Sequence, residues 1–436
     1  MSTLFDIKEH VVDAQHVREY PRATAHSQEE VLQLAVKQYI PKDNPNPKPG
    51  DITIIASHAN GFVKELYEPL WEDLLRAVRQ NGLNIRAVWM ADIAWQGASG
   101  VLNEGRLGND PSWLDHARDL LHLTNVFRAQ MPRPLVGVGH SFGGNIITNV
   151  SLMHPRLFSA LVMVDPVLTR EHGLGPLYGF GTLRASAGRR DVWPSRAEAE
   201  RGVRKNKFYS TWDPRAVDRL VRFGFRDCPT ALHPGAKGGE VTLTSTKHME
   251  CLTYYRPTHQ GPRDPATGAK TFDRSLIPDA TDDVENYPSF PFYQPPTPIT
   301  ARRLPELRPG VLWVAGEDSV VCTPEVRREK METTGYGVGG SGGARAGRVK
   351  ELVVGGTGHL VAMEKPGEVA AGAAGFIRGE WERWRREEDE YRRWAEGTDE
   401  RTKAMMDDDF VALVKSVGPE ANRRRDGTMG GLKPKL

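Results

Sequence analysis

The sequence predicts an α/β protein with a mostly parallel central sheet and helices on both of its faces. Short apolar segments rich in Val, Ile and Leu alternate with amphipathic helical segments between residues 51 and 164. Parallel strands that are buried on both faces read as such continuous apolar runs, and their alternation with helices is typical of βαβ units. A strand–turn–helix junction, LVGVGHSFGGN (135–145), lies within this alternation and supports the same fold class.

The elements can be placed in chain order from these patterns. Two opening strands are predicted at about 7–20 and 31–39, ahead of a turn-rich linker at 41–50. The later strands are predicted at 51–57, 84–90, 135–139, 160–164, 311–315 and 348–354, and the helices at 65–80, 111–130, 142–153 and 366–377.

The alternation stops between Pro166 and Pro309, where the chain is rich in Trp, Arg, Gly and Pro. Helical patches are predicted near 196–204 and 215–223, and the segment 287–300, with five prolines, is predicted to be irregular. Strands resume afterwards, so we interpret this stretch as a cap inserted between two strands of the sheet. The predicted organisation is a core of residues 1–165 and 310–378, a cap of 166–309 and a C-terminal helical extension of 379–436.

Composition narrows the classes of function. The 58 Lys and Arg residues nearly balance the 56 Asp and Glu residues, and a net charge of +2 argues against a nucleic-acid or membrane-surface role. The N-terminus lacks the apolar segment of a secretory signal, and no apolar run approaches the length of a membrane span. Three widely spaced cysteines form no metal-binding pattern, so we expect free thiols, no metal and no cofactor.

The motif GHSFG (139–143) carries the predicted chemistry. It follows an apolar strand and opens a helix, which is the setting of the nucleophile elbow of α/β-hydrolases. Flanking glycines remove side chains that would clash in so tight a turn, and the turn exposes the serine hydroxyl. The pattern predicts Ser141 as the nucleophile and the Phe142 amide as one donor to the oxyanion.

A serine hydroxyl needs a base to remove its proton, and His359 is the candidate. It follows the last predicted strand, in the segment GGTGHLVAMEKP, and precedes the final predicted helix. That is the place required by the chain order serine, acid, histidine in this fold.

Two aspartates compete for the role of the acid. Asp165 ends the strand after the nucleophile helix, whereas Asp318 follows the next-to-last strand, the more common location in the fold. In the common form the acid stands three residues after a glycine. Gly316 places Ser319 there, so Asp318 requires a turn that is one residue shorter. Asp165 needs no such adjustment and is favoured, with Asp318 as the alternative.

The second oxyanion donor should come from the loop after the strand at 51–57. This loop reads SHANGF (57–62), and the amide of Phe62 is the favoured donor, with Asn60 as the alternative. His58 is interpreted as a residue that shapes the loop, and a role as catalytic base is the alternative.

Five longer segments make the assignment more specific. They are HANGFVKELYEPLW, WQGASGVLNEGRLGNDPSWLDHARDLL, GVGHSFGGN, FYSTWDPRAVDRLVRFGFRD and TLTSTKHMEC. Together they resemble the fungal toxin-biosynthesis subgroup of the α/β-hydrolases over nearly the whole chain. This subgroup includes the peroxisomal acyl-CoA hydrolase of mycophenolic acid biosynthesis and relatives in host-selective toxin pathways. The resemblance places the catalytic triad on Ser141, Asp165 and His359.

The resemblance implies hydrolysis of the CoA thioester of a polyketide- or terpenoid-like acid through an acyl-enzyme, without a cofactor. A carboxylic ester hydrolase or lactonase, and a non-catalytic ligand-binding protein on the same scaffold, are the alternatives. Basic cap residues would meet the CoA phosphates and aromatic ones would form the acyl pocket, although solvated helix faces and cap packing explain them too. The predicted substrate-binding residues are Trp193, Arg204, Lys205, Lys207, Phe208 and Trp212.

The C-terminal extension carries two predictions. The charged helix that continues after residue 377 has apolar residues at heptad-like spacing, which indicates either packing on its own core or a homodimer seam. A second amphipathic stretch at 403–417 would enlarge either surface. The chain ends with Pro434-Lys435-Leu436, which resembles the Ser-Lys-Leu signal of the peroxisomal import receptor, with Pro434 where a small residue is usual. A peroxisomal location is therefore predicted, with the cytoplasm as the alternative.

Overall fold

An eight-stranded sheet forms the centre of the fold. The structure is a computed structural model that describes residues 4–170, 175–281 and 283–417. In chain order, the strands are β1 Phe5–Asp13, β2 Gln33–Pro41, β3 Ile52–Ser57, β4 Ile85–Ala91, β5 Leu135–His140, β6 Ala160–Val164, β7 Val192–Trp193, β8 Phe225–Asp227, β9 Val241–Leu243, β10 Arg256–Pro257, β11 Phe292–Tyr293, β12 Gly310–Gly316 and β13 Val349–Val354. The large sheet has the order β1-β2-β4-β3-β5-β6-β12-β13. Strand β2 is antiparallel to β1 and to β4, and the other neighbouring strands of this sheet pair in parallel, so the predicted mostly parallel sheet is confirmed.

Helices cover both faces of this sheet. In chain order they are α1 Glu68–Gln80, α2 Gly97–Leu102, α3 Trp113–Val126, α4 Phe142–Met153, α5 Gly175–Gly188, α6 Arg196–Lys205, α7 Pro214–Phe223, α8 Lys247–Tyr254, α9 Pro296–Arg302, α10 Pro324–Thr333, α11 Val361–Glu364, α12 Pro366–Gly397, α13 Glu400–Lys403 and α14 Asp408–Ser416. Side chains of β6 alternate between two hydrophobic clusters: Val162 and Val164 face one, and Leu161 and Met163 face the other. Because successive side chains of a strand point to opposite faces, a strand with both faces covered must be apolar throughout.

The first predicted strand is too long. It was expected at 7–20, but β1 ends at Asp13. The chain turns away afterwards, since Val17 has a φ of 55° and a 3₁₀ turn begins at Pro21. Neither conformation continues a strand.

The interruption of the alternation is an insertion between two adjacent strands. Strand β6 pairs in parallel with β12, with Val162 opposite Leu312, and the residues between them form α5–α9 and two small sheets of their own. The predicted helical patches correspond to α6 and α7. The segment predicted to be irregular, however, contains the start of α9. Pro296 and Pro298 lie in the first turn of α9, where a missing N–H costs no intrahelical hydrogen bond.

Helix α7 fastens the insertion to the core. The Arg215 guanidinium forms a two-pronged ion pair with Asp73 of α1, at 2.9 and 2.7 Å. The backbone N–H of Asp213 donates to the carbonyl oxygen of Met363 at 2.8 Å. These contacts hold the residues around α7 over the carboxyl ends of the strands, where ligands bind in folds of this type.

The chain divides into two compact units, Met1–Trp381 and Glu382–Leu436, and α12 crosses the boundary between them. The early part of the predicted apolar stripe belongs to the first unit: Ile377 is buried, and the Trp381 indole donates to the Gly50 carbonyl oxygen at 2.8 Å. In the second unit, Phe410 and Leu413 of α14 are more than half exposed. The predicted import tripeptide, 434–436, lies outside the described residues. Among the helices that the structure describes, none combines the length and apolarity needed to cross a bilayer.

Candidate active site

Ser141 lies in a strained turn between β5 and α4. Its φ of 55° and ψ of −118° are rarely adopted by L-residues, and its N–H donates to the Val164 carbonyl oxygen at 2.9 Å. A Cβ atom on Gly139 would lie 2.4 Å from the Gly143 oxygen, and one on Gly143 would lie 2.2 Å from the Ser57 oxygen. Because no side chain fits at either position, the turn requires both glycines.

Ser141, His359 and Asp165 form a continuous hydrogen-bonded chain. The Ser141 Oγ atom lies 2.8 Å from His359 Nε2, and His359 Nδ1 lies 2.7 Å from Asp165 Oδ1. An ionised carboxylate only accepts hydrogen bonds, so Nδ1 carries the imidazole proton and Nε2 is free to accept the proton of Ser141. The arrangement is that of a serine nucleophile with its base and acid.

The surroundings of Asp165 keep its carboxylate charged. Burial raises the pKa of this carboxyl group, but hydrogen bonds from the His359 ring, the Ser319 hydroxyl and the Gly316 amide outweigh it. The pKa of Asp165 therefore lies below its ordinary value. A charged carboxylate in a buried position holds the imidazole in one tautomer and stabilises the imidazolium when it forms.

The alternative acid, Asp318, lies elsewhere. It is exposed in the turn after β12, and its backbone N–H donates to the Thr357 carbonyl oxygen at 2.9 Å. Its neighbour Ser319 occupies the position that the acid usually has in the fold, and the Ser319 hydroxyl donates to Asp165 Oδ1 at 2.6 Å. The usual acid position thus holds a hydrogen-bond donor to the acid on the other strand. The spacing from Gly316 predicts Ser319 at this position, but nothing in the sequence indicates that its hydroxyl donates to Asp165.

A second buried chain of hydrogen bonds ties the elbow to the loop that carries His359. His140 Nε2 lies 3.0 Å from the His359 carbonyl oxygen, so this nitrogen must carry a proton. Burial lowers the pKa of His140 to about 4, and the neutral ring therefore accepts at Nδ1 from the Tyr67 hydroxyl at 2.7 Å. The Tyr67 oxygen in turn accepts from the Ala59 amide at 2.9 Å. His140 and Tyr67 are positioning residues that sequence patterns did not reveal.

The Phe62 amide, the favoured second donor to the oxyanion, is already hydrogen-bonded within the loop after β3. The Phe62 N–H donates to the Ala59 carbonyl oxygen at 3.2 Å, which closes a turn. The Gly61 N–H donates to the Gln96 side-chain oxygen at 2.8 Å. The expectation that Phe62 supplies the second donor therefore does not fit the turn, because its amide is already used.

The alternative, Asn60, fits better. Asn60 and Phe142 line the same cavity as Ser141, and within the described residues neither backbone N–H donates to another protein group. The Asn60 side chain is clamped, since its oxygen accepts from Gln96 at 2.6 Å and its nitrogen donates to the Glu250 carbonyl oxygen at 3.0 Å. A clamped loop with a free amide provides the preorganised donor that a developing oxyanion requires.

His58 shapes this loop. Its Nδ1 lies 2.8 Å from the Ala59 carbonyl oxygen and its Nε2 accepts from the Ile93 amide at 3.2 Å, which defines a neutral ring. Burial lowers its pKa. Both ring nitrogens form hydrogen bonds with backbone groups, so His58 does not act as a base in this arrangement.

A cavity of about 820 Å³ opens beside Ser141 and His359. Most of its wall is apolar or aromatic, and the insertion supplies much of it. Of the predicted substrate-binding residues, Phe208 and Trp212 line it, and the Trp212 ring lies 5.5 Å from that of Phe62. The size and lining suit an acyl group larger than a short straight chain.

Four predicted substrate-binding residues do not line this cavity. Arg204 is exposed and pairs with Glu200 at 2.8 Å and with Asp218 at 2.9 Å, so neighbouring carboxylates already occupy its guanidinium. Trp193 packs edge-on against Phe225 at 5.1 Å, as expected of a residue that stabilises the cap. The remaining two, Lys205 and Lys207, are exposed to solvent outside the lining.

Comparisons with known proteins agree with this geometry. A model of the alpha/beta hydrolase family matches residues 54–373. The type I acyl-CoA thioesterase mpaH of Penicillium roqueforti is 40% identical over an alignment 455 positions long, which covers 100% of both chains. The type I acyl-CoA thioesterase mpaH' of Penicillium brevicompactum is 42% identical, covering 97% of this chain and 98% of the relative.

A solved structure shares the whole fold. The peroxisomal alpha-beta-hydrolase Lpx1 of Saccharomyces cerevisiae superposes with a TM-score of 0.65, covering 98% of this chain and 100% of the other, at 17% sequence identity. At this identity the likeness concerns the fold alone. The family match and the two Penicillium relatives go further, because they extend over most or all of the sequence. The chain belongs to the alpha/beta hydrolase family, in the group that includes the mpaH proteins of Penicillium.

Proposed function

We propose that the protein hydrolyses acyl-CoA thioesters of bulky, polyketide- or terpenoid-type acids, releasing the free acid and CoA. The observation that carries the proposal is the Ser141–His359–Asp165 chain at the wall of a large, mainly apolar cavity. The thioester is inferred from the relatives, which are named acyl-CoA thioesterases and match the chain from end to end.

The geometry supports an acyl-enzyme cycle. Ser141 Oγ attacks the thioester carbonyl carbon while His359 Nε2 takes the hydroxyl proton, and Asp165 stabilises the resulting imidazolium. The amides of Phe142 and Asn60 face the oxyanion of the tetrahedral intermediate. When this intermediate collapses, the carbon–sulfur bond breaks and His359 returns the proton to the CoA sulfur.

Water completes the cycle. A water molecule loses a proton to His359 and attacks the acyl ester on Ser141. The second intermediate collapses with cleavage of the bond to Ser141 Oγ, which regains its proton from His359 as the free acid departs. The net reaction consumes one thioester and one water.

A comparison of leaving groups tests the proposal. One acyl group is assayed as its CoA thioester and as its methyl ester, and kcat/KM is measured for each. We expect the thioester to be favoured at least about tenfold, because contacts to the CoA moiety remote from the reacting carbon can be used in the transition state. Equal or better turnover of the methyl ester would make the protein a carboxylic ester hydrolase or lactonase instead.

We further propose that the protein enters peroxisomes through recognition of Pro434-Lys435-Leu436 by the import receptor. The support is the resemblance of this tripeptide to the Ser-Lys-Leu signal. A fluorescent protein fused to the N-terminus should be peroxisomal with the full chain and cytosolic when the last three residues are deleted. An unchanged punctate distribution after the deletion would exclude this signal.

A homodimer through the C-terminal helices is the last part of the proposal. Tyr391, Trp394, Phe410 and Leu413 expose at least half of their surface, which is unusual for large apolar side chains on a helical segment. Light scattering should give twice the chain mass of 48.5 kDa, and the monomer mass at high protein concentration would contradict it.

A further inference from the structure

A polar cluster with a buried carboxylate interrupts the apolar wall of the cavity. The Ser186 hydroxyl of α5 donates to Glu250 Oε1 of α8 at 2.5 Å, and the Arg189 guanidinium pairs with Glu250 Oε2. Glu250 is only 5% exposed and Ser186 6%. Among the lining residues that the structure describes, Arg189 and Glu250 are the only ones of the types Asp, Glu, Lys and Arg. The surrounding wall is aromatic or aliphatic and includes Phe208, Tyr209, Trp212, Leu220 and Tyr254.

The hydrogen-bonding capacity of this cluster is not filled. Ser186 has used its single proton on Glu250 and also forms a hydrogen bond with the Tyr254 side chain, so the serine adds no free donor. Arg189 donates to Glu250 through Nη2, and its side chain is 34% exposed, so further guanidinium N–H groups can reach a ligand. Each Glu250 oxygen has one protein partner in the cluster, although a carboxylate oxygen can accept two. The cluster therefore offers both a donor and acceptors to a ligand in the cavity.

The pKa of Glu250 also indicates that its carboxylate could accept a further hydrogen bond. Burial raises the pKa of Glu250, and Arg189 and Ser186 offset this only in part. The carboxylate is thus less well solvated here than in water, and a further donor would stabilise it. An alkyl chain against the pair would remove water without replacing its hydrogen bonds, which is unfavourable for polar groups.

We propose that the Ser186–Arg189–Glu250 cluster binds a hydroxyl group of the acyl moiety, so that hydroxylated acyl-CoAs are preferred over unsubstituted ones of equal length. A hydroxyl can donate to Glu250 and accept from Arg189 at once, whereas a carboxylate on the substrate would be repelled by Glu250. An alcohol and a phenol share this chemistry. The inference rests on the proposed function, because it assigns the substrate class of the same site.

Matched substrates test it on the unmodified protein. Straight-chain acyl-CoAs of increasing length and their ω-hydroxy counterparts are assayed as pairs, and kcat/KM is compared within each pair. We expect at least roughly tenfold preference for the hydroxylated member at the lengths that reach the cluster, as for a hydrogen bond to a charged group. The inference would be overturned if kcat/KM were the same for both members of every pair.

Variants assign the preference to the cluster. In the Arg189→Met, Glu250→Met double variant, the preference should fall to within about twofold, because apolar residues of similar volume replace both charges. Glu250→Gln keeps the side-chain shape and should reduce the preference for the hydroxylated substrate several-fold. This variant replaces the double variant in the test if the double variant does not fold. The neighbouring Arg190→Met is the matched control, since Arg190 is exposed and outside the lining, and should keep the full preference. A preference that survives in a folded Glu250 variant would contradict the assignment.

The two proposals fail in different ways. If neither series is hydrolysed as the CoA thioester although the methyl esters of the same acids are, the thioesterase proposal fails, and the ester pairs still show whether the hydroxyl matters. If both series are hydrolysed equally well, the thioesterase proposal stands and the hydroxyl site does not.

Discussion

Replacement of Ser141 by alanine should lower kcat for acyl-CoA hydrolysis by about six orders of magnitude, as loss of the nucleophile does in other serine hydrolases. Without Oγ no acyl-enzyme forms, and only transition-state binding by the remaining amides is left. Release of the CoA thiol, followed with a thiol-reactive chromophore, measures the effect. Alanine removes a single oxygen atom from a position that is 7% exposed, so the melting temperature should change little.

An exposed serine of the cap provides the control. Ser210 donates to the Lys207 carbonyl oxygen and does not line the cavity, so Ser210→Ala should retain full activity. Normal turnover in the Ser141→Ala variant would show that the protein is not a serine hydrolase. If the native protein binds acyl-CoA but does not hydrolyse it, the protein is a ligand-binding protein.

Replacement of Asp165 by asparagine should lower kcat by about four orders of magnitude. The amide nitrogen of asparagine can donate to His359 Nδ1, which would leave the proton on Nε2 and prevent that atom from accepting the proton of Ser141. The fold should tolerate the change, because the asparagine oxygen in the place of Oδ2 can still accept from the Gly316 amide, and the Ser319 hydroxyl oxygen can accept from the asparagine nitrogen.

Asp318→Asn is the matched control for the acid. Asp318 is exposed and, among the described residues, does not hydrogen-bond to His359, so kcat of the variant should stay within about twofold of the native value, as for most surface substitutions. The opposite ranking of the two variants would make Asp318 the acid and Asp165 a structural residue.

The parts of the fold set by local pattern could be predicted from the sequence. The helix at 142–153 and the strand at 160–164 have the predicted bounds, because a continuous apolar run and a glycine-flanked turn define them without reference to distant residues. Ser141 and His359 were predictable from the motif and from chain order, and Asp165 from the turn length and the resemblance; the structure brings these three side chains into contact.

Features that depend on distant partners could not be predicted. The Phe62 amide is used because it closes a turn with Ala59, and Gln96, which lies on another loop, holds the Asn60 side chain. Arg204 has the right charge for a phosphate, but Asp218 on the next helix occupies it. Sequence patterns show which residues can form a contact, and tertiary packing decides which of them do.

Labelling with a fluorophosphonate tests the central claim, that an activated Ser141 performs the hydrolysis, most directly. Such a probe loses fluoride to an activated serine oxygen and leaves one phosphonyl group on it. Mass spectrometry of the digested protein should place one group on the peptide that contains Ser141, with acyl-CoA hydrolysis lost in proportion to labelling. A label on another residue, or full hydrolysis in completely labelled protein, would contradict the account.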